Sequence, residues 1–138
     1  VTGVPCYLVD TNILLRFLVE DDEEMAAAAK RLIKQAGKGE VLLEVPFITV
    51  VEAVHTLRSV YKVDKEDITR EVYKFLRNPG LRTTAPTWLF DALAEFQARN
   101  ISFGDACIAA EARAFGKPVA SFDRDFDGFA GVTRFEPE

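Results

Sequence analysis

Four acidic residues stand where a chain of alternating strands and helices can present chemistry. Asp10 ends the apolar run Leu8-Val9 before Thr11-Asn12 and a helix, and Asp123 ends Val119-Ala120-Ser121-Phe122. Glu52 in Thr49-Val50-Val51-Glu52 and Asp105 in Ser102-Phe103-Gly104-Asp105 fall near helix starts. In an open α/β sheet, ligands bind beyond the carboxyl ends of the strands, where the chain passes into helices. Carboxylates gathered there repel one another. Mg²⁺ or Mn²⁺ relieves that repulsion, because hard cations take oxygen ligands. Each acid also has a purely structural explanation. Asp10 and Asn12 are both N-cap residue types. Thr49-x-x-Glu52 has the pattern of a capping box, and Ser102-x-x-Asp105 resembles one. Asp123-Arg124-Asp125 reads equally well as a turn. From spacing alone, a metal site and a set of caps both stand.

Other chemistry finds little support. The sequence has no GxGxxG and no GxxxxGK[ST], so it offers no phosphate-cradling loop. His55 is the only histidine, and no GxSxG nucleophile elbow exists to pair with it. Cys6 and Cys107 sit in apolar surroundings with no CxxC. They read as buried thiols rather than as a disulfide or a zinc site.

The elements that must position the four acids follow from periodicity and stop signals. Short apolar runs at Cys6 to Val9, Val41 to Val45, Leu81 to Thr84, Val119 to Phe122 and Val132 to Phe135 read as strands. Helices are expected over Asn12 to Val19, Met25 to Gln35, Ile48 to Tyr61, from Asp64 to the Asn78-Pro79-Gly80 stop, Thr87 to Gln97, and Phe103 to Phe115 with Gly116 as its cap. This alternation predicts a parallel sheet covered by helices on both faces. The first helix is apolar nearly all round, with Arg16 as its one charge. It should be buried on two sides: by the sheet, and by either the second helix or a partner protein laid against Leu14, Leu15 or Leu18.

At 138 residues, 49% hydrophobic and 28% charged, the chain has the size and composition of a single globular domain over 1–138. No apolar run approaches the ~20 residues of a membrane helix, and the opening Val1-Thr2-Gly3 shows no signal-peptide pattern. Seventeen basic against 22 acidic residues argue against coating nucleic acid by bulk charge. They leave open an enzyme that cuts nucleic acid at an acidic, metal-binding pocket.

Several segments together carry a resemblance: Leu8-Val9-Asp10-Thr11-Asn12-Ile13-Leu14-Leu15, Ile48-Thr49-Val50-Val51-Glu52-Ala53, Phe103-Gly104-Asp105-Ala106, and Ser121-Phe122-Asp123-Arg124-Asp125-Phe126. In order and spacing the chain resembles the PIN-domain family, in particular its VapC-type toxins. The resemblance implies a three-layer α/β/α sandwich with a central parallel sheet. It implies a Mg²⁺- or Mn²⁺-dependent ribonuclease whose acidic quartet falls on Asp10, Glu52, Asp105 and Asp123. Asn12 and Ser121 would hold carboxylates in place, with Asp125 as an additional acid. A cytoplasmic homodimer silenced by an antitoxin protein is also implied. Two other classes remain open at this point: a non-catalytic PIN-like binding module, and a phosphatase working through an Asp10 phosphoenzyme.

Overall fold

The computed structural model describes residues 3–138; the first two residues of the Val1-Thr2-Gly3 opening lie outside the described residues. The chain forms two compact units, the first ending at Ala85 and the second spanning Pro86–Glu138.

The first unit runs β1 (Cys6–Leu8), α1 (Thr11–Leu18), α2 (Glu23–Gly37), β2 (Leu42–Val45), α3 (Phe47–Ser59), α4 (Lys65–Leu76) and β3 (Leu81–Thr83). Its three strands pair in the order β1-β2-β3, both ladders parallel, with Tyr7 opposite Leu43 and Leu43 opposite Leu81. The parallel pairing expected from the alternation is therefore present. In the central strand β2, Leu43 and Val45 are fully buried. On α3 the apolar stripe Val50, Val54 and Leu57 is buried. On α4 the inner residues are Ile68, Val72 and Phe75. Each large apolar side chain taken out of water contributes roughly 1.5–3 kcal/mol.

The apolar helix α1 is covered from within its own unit. It packs against α2 and α3, and Phe17 meets Phe75 of α4 with ring centroids 5.3 Å apart. Leu14 is fully buried and Leu15 nearly so. A partner protein is thus not needed to bury that helix. At its carboxyl end Arg16 pairs with Asp21 at 2.6 Å, and Tyr61 donates to the other oxygen of Asp21 at 3.2 Å. Gly80, just before β3, has φ +84°, and a Cβ there would stand 2.0 Å from the carbonyl oxygen of Ala36. Only glycine lets the α4–β3 turn pass the end of α2 so closely.

The second unit runs α5 (Leu89–Ala98), α6 (Phe103–Phe115), β4 (Val119–Ala120), a 3₁₀ turn over Arg124–Gly128, and β5 (Arg134–Phe135). The two strands pair in parallel, Val119 opposite Arg134. Ala106, Ala109 and Ala110 are fully buried along α6, where small side chains permit close packing. Phe96 of α5 meets Phe103 of α6 edge-on at 5.6 Å. Arg113 ties α6 to α5 through Asp91 and Glu95, both at 2.6 Å, and donates to the Ala130 carbonyl at 2.9 Å. Gly116 ends α6 in the left-handed conformation, φ +64°, as its cap role requires.

The expectation of two buried thiols needs correction. Cys6 is exposed, because β1 has only three residues and all are solvent-accessible. Cys107 is buried as expected, and burial, reinforced by Glu111, pushes its thiol up to about 12. The turn read at Asp123-Arg124-Asp125 is present, as a 3₁₀ turn of five residues.

Candidate functional site

Asp10 sits at the exit of β1 and is the N-cap of α1. Its Oδ1 accepts the Ile13 N–H at 3.1 Å. No other hydrogen bond reaches its side chain among the described residues, so Oδ2 is open to a ligand. Thr11, the next residue, donates through Oγ1 to Oε2 of Glu52 at 2.8 Å. That bond brings the start of α1 and the second turn of α3 together, and with them Asp10 and Glu52. Asn12 lies exposed in the same turn as Thr11.

The capping box expected at Thr49-x-x-Glu52 does not form. Helix α3 starts one turn earlier, after Pro46, with no side-chain cap. The Thr49 hydroxyl is buried and donates instead to the Val9 carbonyl at 2.8 Å. It fastens α3 to the peptide immediately before Asp10. Glu52 is therefore exposed with no capping duty, and its one hydrogen bond among the described residues comes from Thr11.

The second unit carries the other two acids. Ser102 caps α6 by accepting the Asp105 N–H at 3.1 Å, which fixes the backbone of Asp105 in the first turn and leaves its carboxylate unbonded among the described residues. Asp123 caps the 3₁₀ turn, Oδ1 accepting the Asp125 N–H at 2.9 Å, while its own N–H donates to the Ser121 hydroxyl at 2.9 Å. Ser121, Asp123 and Asp125 thus share one tight turn, with Asp125 on its exposed side. Among the described residues, no group of three or more His, Cys, Asp and Glu side chains stands ready to hold a metal.

The donor set around these acids is oxygen throughout: carboxylates, hydroxyls and the Asn12 amide. The lone histidine, His55, is exposed, and the Cys107 thiol stays protonated at neutral pH. Such donors fit a hard divalent cation and not zinc. Of the expected partner residues, Leu14 and Leu15 belong to the core of the first unit. Leu18 is half-buried and lines a cavity of about 400 Å³ with Phe17, Glu20, Lys30 and Lys74.

Hydrogen bonds made by three residues beside the acids escaped the sequence reading. A hydroxyl in the otherwise apolar start of α3 was a usable signal for Thr49. Thr11 lay inside the Asp10-Thr11-Asn12 segment but was assigned no part. Arg134, whose guanidinium reaches Ser121 and Asp127, was marked only by being the single charge in the last strand.

Residues 7–132 match the PIN domain family, and the chain belongs to it. Membership carries the fold class read from the sequence, an α/β/α arrangement with a central parallel sheet. A VapC ribonuclease of Aquifex aeolicus (strain VF5) is 30% identical over 132 residues, covering 94% of this chain and 97% of that protein. Among solved structures, VapBC2 from Rickettsia felis bound to a DNA fragment from their promoter covers 95% of this chain and 98% of its own. Its sequence identity is 15% and its TM-score 0.39. Among the described residues no helix is long and apolar enough to cross a membrane.

Proposed function

We propose that this protein is a Mg²⁺- or Mn²⁺-dependent endoribonuclease, the toxin of a type II toxin–antitoxin pair. The observation that carries the reading is the 30% identity to a VapC ribonuclease across 94% of the chain. The acids support it. Asp10 and Asp123 each spend one oxygen on a cap and keep one open, and Glu52 is freed from capping.

Asp10, Asp105 and Asp123 would hold the ion directly, and Glu52 would hold a second ion or orient the attacking water. When bound, a divalent cation would lower the pKa of a water molecule and offset charge on the scissile phosphate; attack of that water on phosphorus with the 3′-oxygen leaving would give a 5′-phosphate and a 3′-hydroxyl. The protein's own part is to fix the oxygens beforehand. Capping sets the Asp10 and Asp123 side chains, and Thr11 sets Glu52. Ser121 restrains the Asp123 turn through its hydroxyl, and Asn12 would hold a carboxylate of the same site once the ion is bound. Asp125 adds negative charge on the exposed side of the Asp123 turn.

In this reading the antitoxin docks over the cavity lined by Leu18 and Phe17, whose rim carries Lys30, Glu20 and Lys74. The chain works in the cytoplasm as a homodimer. The test is cleavage of RNA by the purified full chain. Activity should vanish with EDTA, return with Mg²⁺ or Mn²⁺, and yield ends that a 5′-phosphate-dependent exonuclease digests. Cleavage that persists in chelator after exhaustive dialysis refutes the proposal.

A further inference from the structure

Arg134 lies on β5, and its side chain is only 10% exposed. It faces the back of the turn that carries Asp123. Its Nη1 donates to the Ser121 carbonyl at 3.1 Å, two residues before that acid. Its Nε and Nη2 donate to the two oxygens of Asp127 at 2.9 and 3.3 Å, four residues after it. Glu136 receives a further bond from Nη1 at 2.8 Å. One planar guanidinium therefore grips the segment on both sides of Asp123, and parallel pairing of β5 with β4 sets where it stands, Ser121 N–H donating to Phe135 O at 3.0 Å. Between these two anchors the turn closes on itself through the Ser121 hydroxyl and Asp123 Oδ1.

We infer that Arg134 is a positioning residue for the Asp123 carboxylate, holding the turn in the shape that aims its open oxygen. The inference rests on the nuclease reading, since it supposes that Asp123 acts on a divalent ion. A lysine cannot replace the fork: it keeps the charge and one contact to Asp127, but has no planar set of donors to hold Ser121 and Asp127 together. Groups that orient ligating side chains without touching the ion typically change metal affinity or activity by about 10- to 100-fold when removed.

The experiment uses the full chain as wild type, Arg134→Gln, Arg134→Lys, Asp127→Asn and Asp10→Asn. Mn²⁺ alone is titrated and followed by electron paramagnetic resonance, amide hydrogen exchange is measured residue by residue, and RNA cleavage is measured against Mn²⁺ concentration. Arg134→Gln and Arg134→Lys should raise the Mn²⁺ midpoint by about tenfold or more, with cleavage recovering toward wild type at high Mn²⁺. Exchange should quicken at the Asp123 and Asp125 amides while α6 stays protected. Asp127→Asn should move the same readouts in the same direction by less. Asp10→Asn should lose cleavage without altering exchange at Asp123 or Asp125. A wild-type Mn²⁺ midpoint in both Arg134 variants overturns the inference, as does exchange that quickens uniformly through the second unit. If Arg134→Gln does not fold, Arg134→Lys and Asp127→Asn decide by the same criteria. A wild type that neither binds Mn²⁺ nor cleaves RNA overturns the nuclease reading and this inference with it. A wild type that does both, beside unaltered Arg134 variants, overturns this inference alone.

Discussion

Replacing Asp10 by Asn and by Ala separates its two duties. The carboxylate caps α1 through Oδ1, accepting the Ile13 N–H at 3.1 Å, and leaves Oδ2 open. Asparagine caps a helix about as well as aspartate, so Asp10→Asn keeps that bond and removes the charge. The change in stability is then limited to the lost charge at an exposed helix start, about 0.3–1 kcal/mol. Alanine removes the cap as well, at a cost of about 1 kcal/mol more. Because α1 has only eight residues, a missing cap is a sizeable fraction of its end effects. For a chain of this length that is a fall of roughly 4 °C in melting temperature. Cleavage should behave differently. If Asp10 holds the ion as proposed, both variants lose an anionic ligand and should lose ~10²–10³-fold, or about 3–4 kcal/mol of transition-state stabilisation. The assay pairs thermal melting by circular dichroism with single-turnover cleavage of a labelled RNA in excess Mg²⁺. Full activity in Asp10→Asn removes Asp10 from the chemistry. Equal melting of the Asn and Ala variants removes the cap from the account of α1.

Glu52→Gln should leave stability within about 0.5 kcal/mol, since α3 has no capping box to lose, yet cut cleavage ~10²-fold; Thr11→Val should give part of that loss, and wild-type rates in both would return Glu52 to the solvated surface. Hydrogen bonds from Arg134, aided by the charge of Arg124, hold the Asp127 carboxyl below its ordinary range. A carboxyl lowered on folding stabilises the folded state above its unfolded value of ~3.9 and loses that contribution as pH falls through the lowered one. The melting difference between wild type and Asp127→Asn should therefore shrink as the pH falls below about 4, and a gap constant from pH 7 to pH 3 would contradict the pairing. Gly80→Ala should destabilise the first unit by on the order of 3 kcal/mol, from φ +84° and the contact with the Ala36 carbonyl; a denaturant midpoint within error of wild type would show that the turn can move aside.

The helices were legible because each has an apolar stripe long enough to repeat: Val50, Val54 and Leu57 on α3, and Leu89, Leu93 and Phe96 on α5, are all buried. The strands were found but drawn too long. Val119–Ala120 and Arg134–Phe135 pair over only two residues each, and apolar composition does not show where a ladder stops. Cys6 was misplaced for the same reason: an apolar neighbourhood in sequence says nothing about which side of a three-residue strand is covered. The positions of the four candidate acids, at strand ends and helix starts, were legible individually. Their supports were not. Thr49 fits a local capping pattern, but its hydroxyl goes to a carbonyl 40 residues away, and local pattern cannot register a bond that tertiary packing offers. Arg134 reaches back to Ser121 and Asp127 only because β5 returns beside β4.

For Asp10 and Asp123 the structural and the chemical readings turn out not to compete. A carboxylate has two oxygens, and a helix start uses one. In both residues Oδ1 takes a backbone N–H two or three positions ahead, which fixes the side-chain torsions and so the direction of Oδ2. Fixing a ligand oxygen before the ligand arrives avoids the ordering cost at the moment of binding. Capping alone does not call for aspartate, since asparagine and serine serve equally, and Ser102 does this at the start of α6. An acid in that role at a strand exit keeps one oxygen free, and its charge both suits the helix start and remains available to a bound cation. Glu52 reaches the same condition by a different route. It has no cap to make, and a neighbour of Asp10 supplies the hydrogen bond that orients it. The substitution that tests each acid is accordingly its own amide, Asp to Asn or Glu to Gln, because it keeps the acceptor oxygen that the structure uses and removes the charge that the proposed chemistry requires.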